Sequence, residues 1–190
     1  ESNSDTAVDV FVYDTRKDSD GGAWRKRTQH TSWYNETLNT STRGSRKEFP
    51  SVAVIVAESD KVTIYDGDDP SMPMWMVWPM GNEGTVGLGW FYAVASVTST
   101  AARNGQITFG TEGGHSARSG LVYANLITDS VGRYGSSASY GGFGLNASSG
   151  AKTSDLPTRF TTMLVQDDVN DIAMTVLPNA PIDSATGLPV

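Results

Sequence analysis

The chain has 190 residues and no cysteine, so a disulfide framework and a thiolate metal site are both excluded and the core has to be stabilised by packing. It contains 20 glycines, and only 38% of its residues are hydrophobic, which favours short strands and turns over long helices. The net charge is −7, and no apolar run is long enough for a membrane-spanning helix, so we expect a soluble module.

The N-terminal part, residues 1–48, predicts two strands and a long loop. Alternation over residues 8–13 places Val8, Val10 and Val12 on one face of a strand and Asp9, Phe11 and Tyr13 on the other. The sequence DSDGG is a strong turn signal, and residues 24–28 are expected to return as the partner strand. The polar stretch 29–47 predicts a surface loop.

The rest of the chain, residues 49–190, reads as a β-rich repeat region continuous with the first part. Residues 52–58 and 61–65 predict an antiparallel hairpin, and residues 74–78 supply a third strand, which together have the size of a propeller blade without its fourth strand. A second cycle turns at Asn104-Gly105, a type I′ signal. The other predicted strands cover residues 90–97, 106–110, 120–129, 160–165 and 172–177, whereas 132–150 has the composition of a loop.

Two sets of segments carry a resemblance to a known class of protein. The order strand, Asn-Gly turn, "QITFGTEGG" and strand, together with the "KVTIYDG" hairpin, resembles the blades of propeller-like repeats in phage tail and virion surface proteins. The segments "DVFVYDTRKDSDGGAWRKRT" and "TSWYN" resemble structural proteins of marine tailed phages. The resemblance implies a tail, neck or fibre component that binds other virion proteins or a host surface glycan, and it provides no catalytic residues to carry over to this chain.

The fold class that follows is all-β, with short antiparallel strands arranged as propeller-blade-like repeats or as an open sandwich. Propellers have about four to eight blades, and two or three strand cycles cannot close such a ring. We therefore expect the chain to be completed by further polypeptide or by other subunits.

Catalysis has little support in the sequence, and we expect a protein that is not an enzyme. There are two histidines, His30 in a polar loop and His115 after a Gly-Gly pair, and no G-x-S-x-G nucleophile motif. A glycoside hydrolase needs two carboxyl groups flanking a sugar-sized cleft, whereas the paired aspartates here lie in turn-like sequences. A glycoside hydrolase is therefore the third hypothesis for function.

Two aspartate-rich stretches are alternatives for a calcium site, because Ca²⁺ prefers carboxylate oxygens crowded in a glycine-containing loop. Neither stretch matches the D-x-[DN]-x-[DN]-G pattern, and no cluster favours zinc, iron or a nucleotide. We expect no cofactor, with Ca²⁺ as the alternative. The candidate ligands are Asp14, Asp18 and Asp20 in the first stretch and Asp66, Asp68 and Asp69 in the second.

Aromatic residues in or beside polar loops are the candidate binding residues, because such side chains stack on sugar rings or anchor an interface. The alternative is that they close over the core. The candidates are Trp24, Trp33, Tyr34, Tyr134 and Tyr140.

The leading hypothesis for function is a virion or surface structural protein, located on a virion or an extracellular surface, that assembles with like or unlike subunits or attaches to a host. It predicts apolar contacts along residues 72–78 and 90–97. The alternative is a lectin-like module that binds a host glycan through its loop aromatics. Residues 16–47 hold eight basic and three acidic side chains, but the acidic remainder argues against nucleic acid as a partner.

Overall fold

The computed structural model describes residues 3–35, 46–79, 96–113, 120–134, 139–143, 158–160 and 168–189. Two single-turn α-helices, α1 (Asn3–Thr6) and α2 (Ser32–Asn35), and two 3₁₀ turns, Thr15–Lys17 and Ala23–Arg27, accompany ten strands. In the residues described, no helix has the length and apolar character needed to cross a membrane. The strands are β1 (Ala7–Asp14), β2 (Val52–Glu58), β3 (Lys61–Asp66), β4 (Met74–Pro79), β5 (Ser96–Arg103), β6 (Gln106–Glu112), β7 (Gly120–Asn125), β8 (Ser130–Tyr134), β9 (Ser139–Phe143) and β10 (Thr158–Phe160).

The strands form two antiparallel meanders, which confirms the all-β prediction. The first sheet has the order β1-β2-β3-β4 and the second the order β10-β9-β8-β7-β6-β5. One sheet has four strands and the other has six, so over the described ranges they are not copies of one blade and they close no ring.

The hairpin of β2 and β3 follows the sequence prediction closely. It turns at Ser59-Asp60, and its register pairs Val54 with Tyr65 and Val56 with Thr63. Residues of both faces of β2 are buried, as its continuous apolar run requires. β4 then adds to β3 and carries two fully buried tryptophans into the core.

The second sheet starts from the predicted Asn-Gly turn between β5 and β6. Asn104 and Gly105 have φ values of 50° and 73°, the left-handed pair that a type I′ turn requires. Two predictions are wrong here. Strand β9 and most of β8 lie within a stretch, 132–150, that its composition assigned to a loop, and residues 172–177 belong to neither sheet although a strand was expected. Residues 172–177 lie beside the β5–β6 hairpin, where the Thr108 hydroxyl reaches the Met174 sulfur at 3.5 Å.

One aromatic-rich core lies between the inner faces of the two sheets and draws on both parts of the chain. Trp78 of β4 packs edge-on against Phe109 of β6, with ring centroids 5.6 Å apart. Phe49 contacts Trp24 at 5.4 Å and Trp75 at 5.0 Å. The N-terminal 3₁₀ turn and the two sheets are therefore packed into the same core.

Asp18, a buried carboxylate in the DSDGG turn, joins the first sheet to the second. Its Oδ2 accepts hydrogen bonds from the Tyr13 hydroxyl at 2.5 Å and the Trp24 indole at 2.8 Å, and its Oδ1 accepts one from the Asn104 amide at 2.8 Å. The Gly105 amide in turn donates to the Tyr13 hydroxyl at 2.8 Å. We call these five residues the Asp18 junction.

The protonated phenol is essential to this arrangement. Burial raises the pKa of Tyr13 far above its usual value, and the neighbouring Asp18 carboxylate raises it further. The hydroxyl therefore stays a donor to Asp18 while it accepts from Gly105. The turn requires glycine at position 22. Its φ of 80° is one that other residues rarely adopt, and a Cβ atom there would collide with the Thr15 side chain.

The Asp18 junction predicts a large loss of stability for Asp18→Asn. The NH₂ group of the asparagine side chain would face groups that are themselves hydrogen-bond donors, and buried N–H or O–H groups would lose their acceptor. We therefore expect the free energy of unfolding to fall by about 2 to 3 kcal/mol. Urea denaturation followed by tryptophan fluorescence measures this change. The control is Asp60→Asn in the exposed β2–β3 turn, which should change it by less than about 0.5 kcal/mol. Equal urea midpoints for the two variants would contradict the assigned role.

Candidate functional site

Two of the predicted binding aromatics are buried in the core. Trp24 lies on a 3₁₀ turn, not on the predicted return strand, and Trp33 lies on α2; both have 0% exposure. The indole of Trp33 donates to the Leu126 carbonyl at 2.9 Å, as that of Trp24 does to Asp18. Neither ring is accessible to a sugar, and the alternative, closure over the core, describes both.

The other predicted binding aromatics do not join them in one site. Tyr34 is half-buried and meets the edge of Trp33 at 5.9 Å. Tyr134 is half-buried on the second sheet and stacks on Tyr123, with ring centroids 5.6 Å apart. The side chain of Tyr140 lies outside the described residues. Sequence reasoning missed Tyr123, although its alternation in β7 predicts a face shared with neighbours on β8.

The aspartates of the first stretch are held by three different groups of partners. Asp14 forms an exposed ion pair with Arg16 at 2.7 Å, and Asp20 pairs with Arg27 at 2.8 Å. Asp18 points into the junction described above. The three carboxylates therefore do not converge on one point.

Two of the three aspartates of the second stretch pair with the same guanidinium group. Arg46 pairs with Asp66 at 2.8 Å and with Asp68 at 2.6 Å, whereas Asp69 caps the amide and hydroxyl of Ser71. Across the described part of the chain, no group of three or more histidine, aspartate or glutamate side chains could hold a metal ion. The Arg46 guanidinium thus pairs with two of the three carboxylates that a cation would need and neutralises part of their charge.

Of the two histidines considered for catalysis, His30 is exposed, and His115 lies outside the described residues.

The outer face of β1 carries exposed apolar side chains and is a candidate contact surface. Val8, Val10 and Val12 are 51%, 52% and 60% exposed, and they alternate with inward-facing residues that end in the buried Tyr13. We call these three side chains the valine row. The row contains no charged residue.

The orientation of β1 is fixed by polar contacts on its inner side. Asp9 accepts a hydrogen bond from the Thr100 amide of β5 at 2.8 Å, which holds β1 alongside the second sheet. Tyr13 is held in the Asp18 junction. Because successive side chains of a strand point to opposite faces, these contacts oblige the valines to face outward.

The valine row continues onto the neighbouring strands. Val10 pairs with Val56 and Val12 with Val54 on β2, and beyond them Tyr65 of β3 lies on the same face. Val54 and Tyr65 are half-buried and Val56 is buried, so exposure is greatest on β1. The exposed apolar surface therefore continues from Val12 through Val54 to Tyr65, whereas beside Val10 it ends at the buried Val56.

Residues 72–78, which were expected to make subunit contacts, lie mainly in the core and not on the surface. Trp75, Met76 and Trp78 are buried in the core, and the other expected stretch, 90–97, falls largely outside the described residues. The alternation in β1 could have pointed to the valine row, because a strand that buries a tyrosine with one face leaves its valines on the other.

Comparisons of this chain with protein-family models, with curated proteins and with solved structures found no match.

Asp68 predicts a pH-dependent contribution to stability. Burial acts to raise the pKa of this carboxyl, but hydrogen bonds from Ser51, Val52 and Arg46 outweigh it and lower the pKa from 3.8 to about 2. The folded state thus binds fewer protons than the unfolded state between these values. The stabilisation is complete above about pH 4 and is lost as the pH falls through about 2.

We therefore expect the difference in urea midpoint between the parent chain and Asp68→Asn to shrink as the pH falls from about 5 to about 2. Asp60→Asn, in an exposed turn, serves as the control and should differ from the parent by a constant amount. A difference for Asp68→Asn that stays constant over this range would contradict the assignment.

Proposed function

We propose that this chain is a non-enzymatic structural subunit that assembles with further copies of itself through the valine row. The observation that carries the proposal is the half to three-fifths exposure of three consecutive outward side chains on β1. Contiguous apolar surface on a soluble protein marks an interaction site, because leaving it in water costs about 25 cal/mol for each Å².

A second copy is the partner that the chemistry favours. The valine row has no charge and no side-chain hydrogen-bonding group, so a charged partner such as nucleic acid gains nothing from it. Two rows related by a twofold axis present the same β-branched side chains to each other, which is the geometry of an isologous interface. Flat strands with alternating side chains pack well in this way.

The size of the surface indicates how the interface is built. A stable interface buries about 800 Å² on each partner, which is more than three half-exposed valines supply. The row would therefore form the centre of the contact, with the half-buried Val54, Tyr65 and Val77 at its margin. Contacts of this kind gain strength when many subunits are linked.

The setting predicted from the sequence, a virion or extracellular surface, agrees with such a role and stays a prediction. A structural subunit needs rigid faces and no reactive groups, and Asp66, Asp68 and Asp69, which were considered for catalysis, are paired with arginine or hydrogen-bonded to nearby groups.

The proposal predicts that Val10→Lys abolishes self-association. An ammonium at the centre of the row would be buried without a partner, so we expect the dissociation constant to rise at least about a hundredfold. Sedimentation velocity over a concentration series measures it, and an unchanged circular dichroism spectrum shows that the fold is retained. Leu177→Lys, at an exposed apolar residue away from the row, is the matched control and should associate like the parent.

Two results would overturn the proposal. One is a parent chain that stays monomeric at the highest soluble concentration. The other is an equal loss of association in the Leu177 variant, which would place the contact elsewhere.

A further inference from the structure

A cavity of about 670 Å³ lies at the tip of the β5–β6 hairpin, away from the valine row. Its walls come from this hairpin, from the turn between β7 and β8, and from the C-terminal residues 174–189. The volume is in the range of pockets that hold small organic molecules. We call it the hairpin pocket.

The walls of the hairpin pocket are pinned to the core and to each other. The Leu126 amide donates to the Gly105 carbonyl at 2.8 Å, which joins the β7–β8 turn to the hairpin. The C-terminal segment folds back on itself through a bridge between Ile182 and Pro189, and Leu188 is buried. Arg27 binds the Thr186 carbonyl at 2.9 Å from outside. The pocket is thus preformed, so a ligand would not have to order it.

The polar side chains of the pocket present hydrogen-bond donors. Arg103 lines it, and within the described residues its guanidinium makes no ion pair. Its Nε is buried and has no hydrogen-bond partner, so contacts with a ligand fall to the two Nη groups. Asn125 accepts from the amides of Ile127 and Thr128 at 3.0 Å each through Oδ1, which turns its NH₂ group away from that turn. Gln106 lies between them in the sheet register, opposite both Arg103 and Asn125.

Asp183 is the one acidic residue among those lining the pocket, and its carboxylate is hydrogen-bonded within its own turn. Its Oδ2 accepts from the Thr186 amide at 2.8 Å, and no ion pair joins it to Arg103 across the described walls. The remaining wall is mostly apolar and includes Ile127, Met174, Val176, Leu177 and Leu188. A ligand therefore meets one arginine that forms no ion pair, one aspartate that is hydrogen-bonded within its own turn, several amides and hydroxyls, and an apolar side.

We propose that the hairpin pocket binds a hydroxyl-rich small molecule carrying one carboxylate, such as a sugar acid. The carboxylate lies on the guanidinium of Arg103, whose planar fork matches it. The hydroxyl groups lie on Gln106, Asn125 and Thr128, and the C–H face of the sugar ring packs on the apolar wall. A single arginine beside an aspartate suits a monoanion better than the double charge of a phosphate.

Titration calorimetry with D-glucuronate tests the proposal, with D-glucose and inorganic phosphate as comparison ligands. We expect glucuronate to bind at millimolar concentration or below, and glucose and phosphate to bind at least about tenfold more weakly. Arg103→Gln should weaken glucuronate binding about ten- to hundredfold. Arg103→Lys keeps the positive charge but not the planar guanidinium, so its affinity should lie between those of the parent and of Arg103→Gln. Arg16→Gln, at a surface ion pair, is the matched control and should bind like the parent.

A second variant separates binding from folding. Thr175 lines the pocket and is exposed, so Thr175→Trp should fill the cavity and abolish binding while the melting temperature stays unchanged. Tighter binding of a glucuronate oligomer than of the monosaccharide would indicate that the ligand is part of a glycan. Equal binding of the two would indicate that the ligand is a free sugar acid. The proposal is overturned if glucuronate does not bind at millimolar concentration, if phosphate binds equally well, or if Arg103→Gln leaves the affinity unchanged.

Discussion

The structure depends on one buried charge. Asp18 is taken out of water, and such a transfer is tolerable only when donors satisfy both of its oxygens. The Tyr13 hydroxyl, the Trp24 indole and the Asn104 amide supply those donors, and they belong to β1, to a 3₁₀ turn and to the β5–β6 turn. The requirement to satisfy one carboxylate therefore sets the relative position of three elements that are distant in the sequence.

The two surfaces to which we assign roles both follow from this arrangement. With Tyr13 drawn inward, the odd-numbered residues of β1 face the core and Val8, Val10 and Val12 must face outward. With Asn104 and Gly105 held by the same junction, the hairpin tip that carries Arg103 is fixed on the rim of its pocket. The exposed valine row and the hairpin pocket thus share one structural cause.

The sequence predicted the elements that depend on local chemistry. The β2–β3 hairpin and the Asn104-Gly105 turn are encoded by a few adjacent residues, and both lie where they were expected. The burial of Trp24 and Trp33 could not be predicted in this way, because their neighbours look polar and their partners lie elsewhere in the chain; the Leu126 carbonyl is 93 residues from Trp33. Alternation in β1 showed which side chains share a face but not which face is inside. The pocket brings residues 103–128 together with residues 174–189, and no local sequence pattern indicates that these two segments meet.

The connection between Asp18 and Asn104, separated by 86 residues, has a consequence for the order in which the molecule forms. Strands β2 to β4 and strands β5 to β9 are joined by short connections, which close quickly. The pairing of β1 with β2 across residues 15–51 and the contacts between the two sheets join distant residues, so they carry a larger entropic cost and form late. Until the junction closes, Trp24 and the apolar inner faces of both sheets stay in contact with water. During synthesis, the N-terminal sheet emerges before the hairpin that completes it, so the nascent chain passes through a stage with exposed tryptophans that is prone to aggregation.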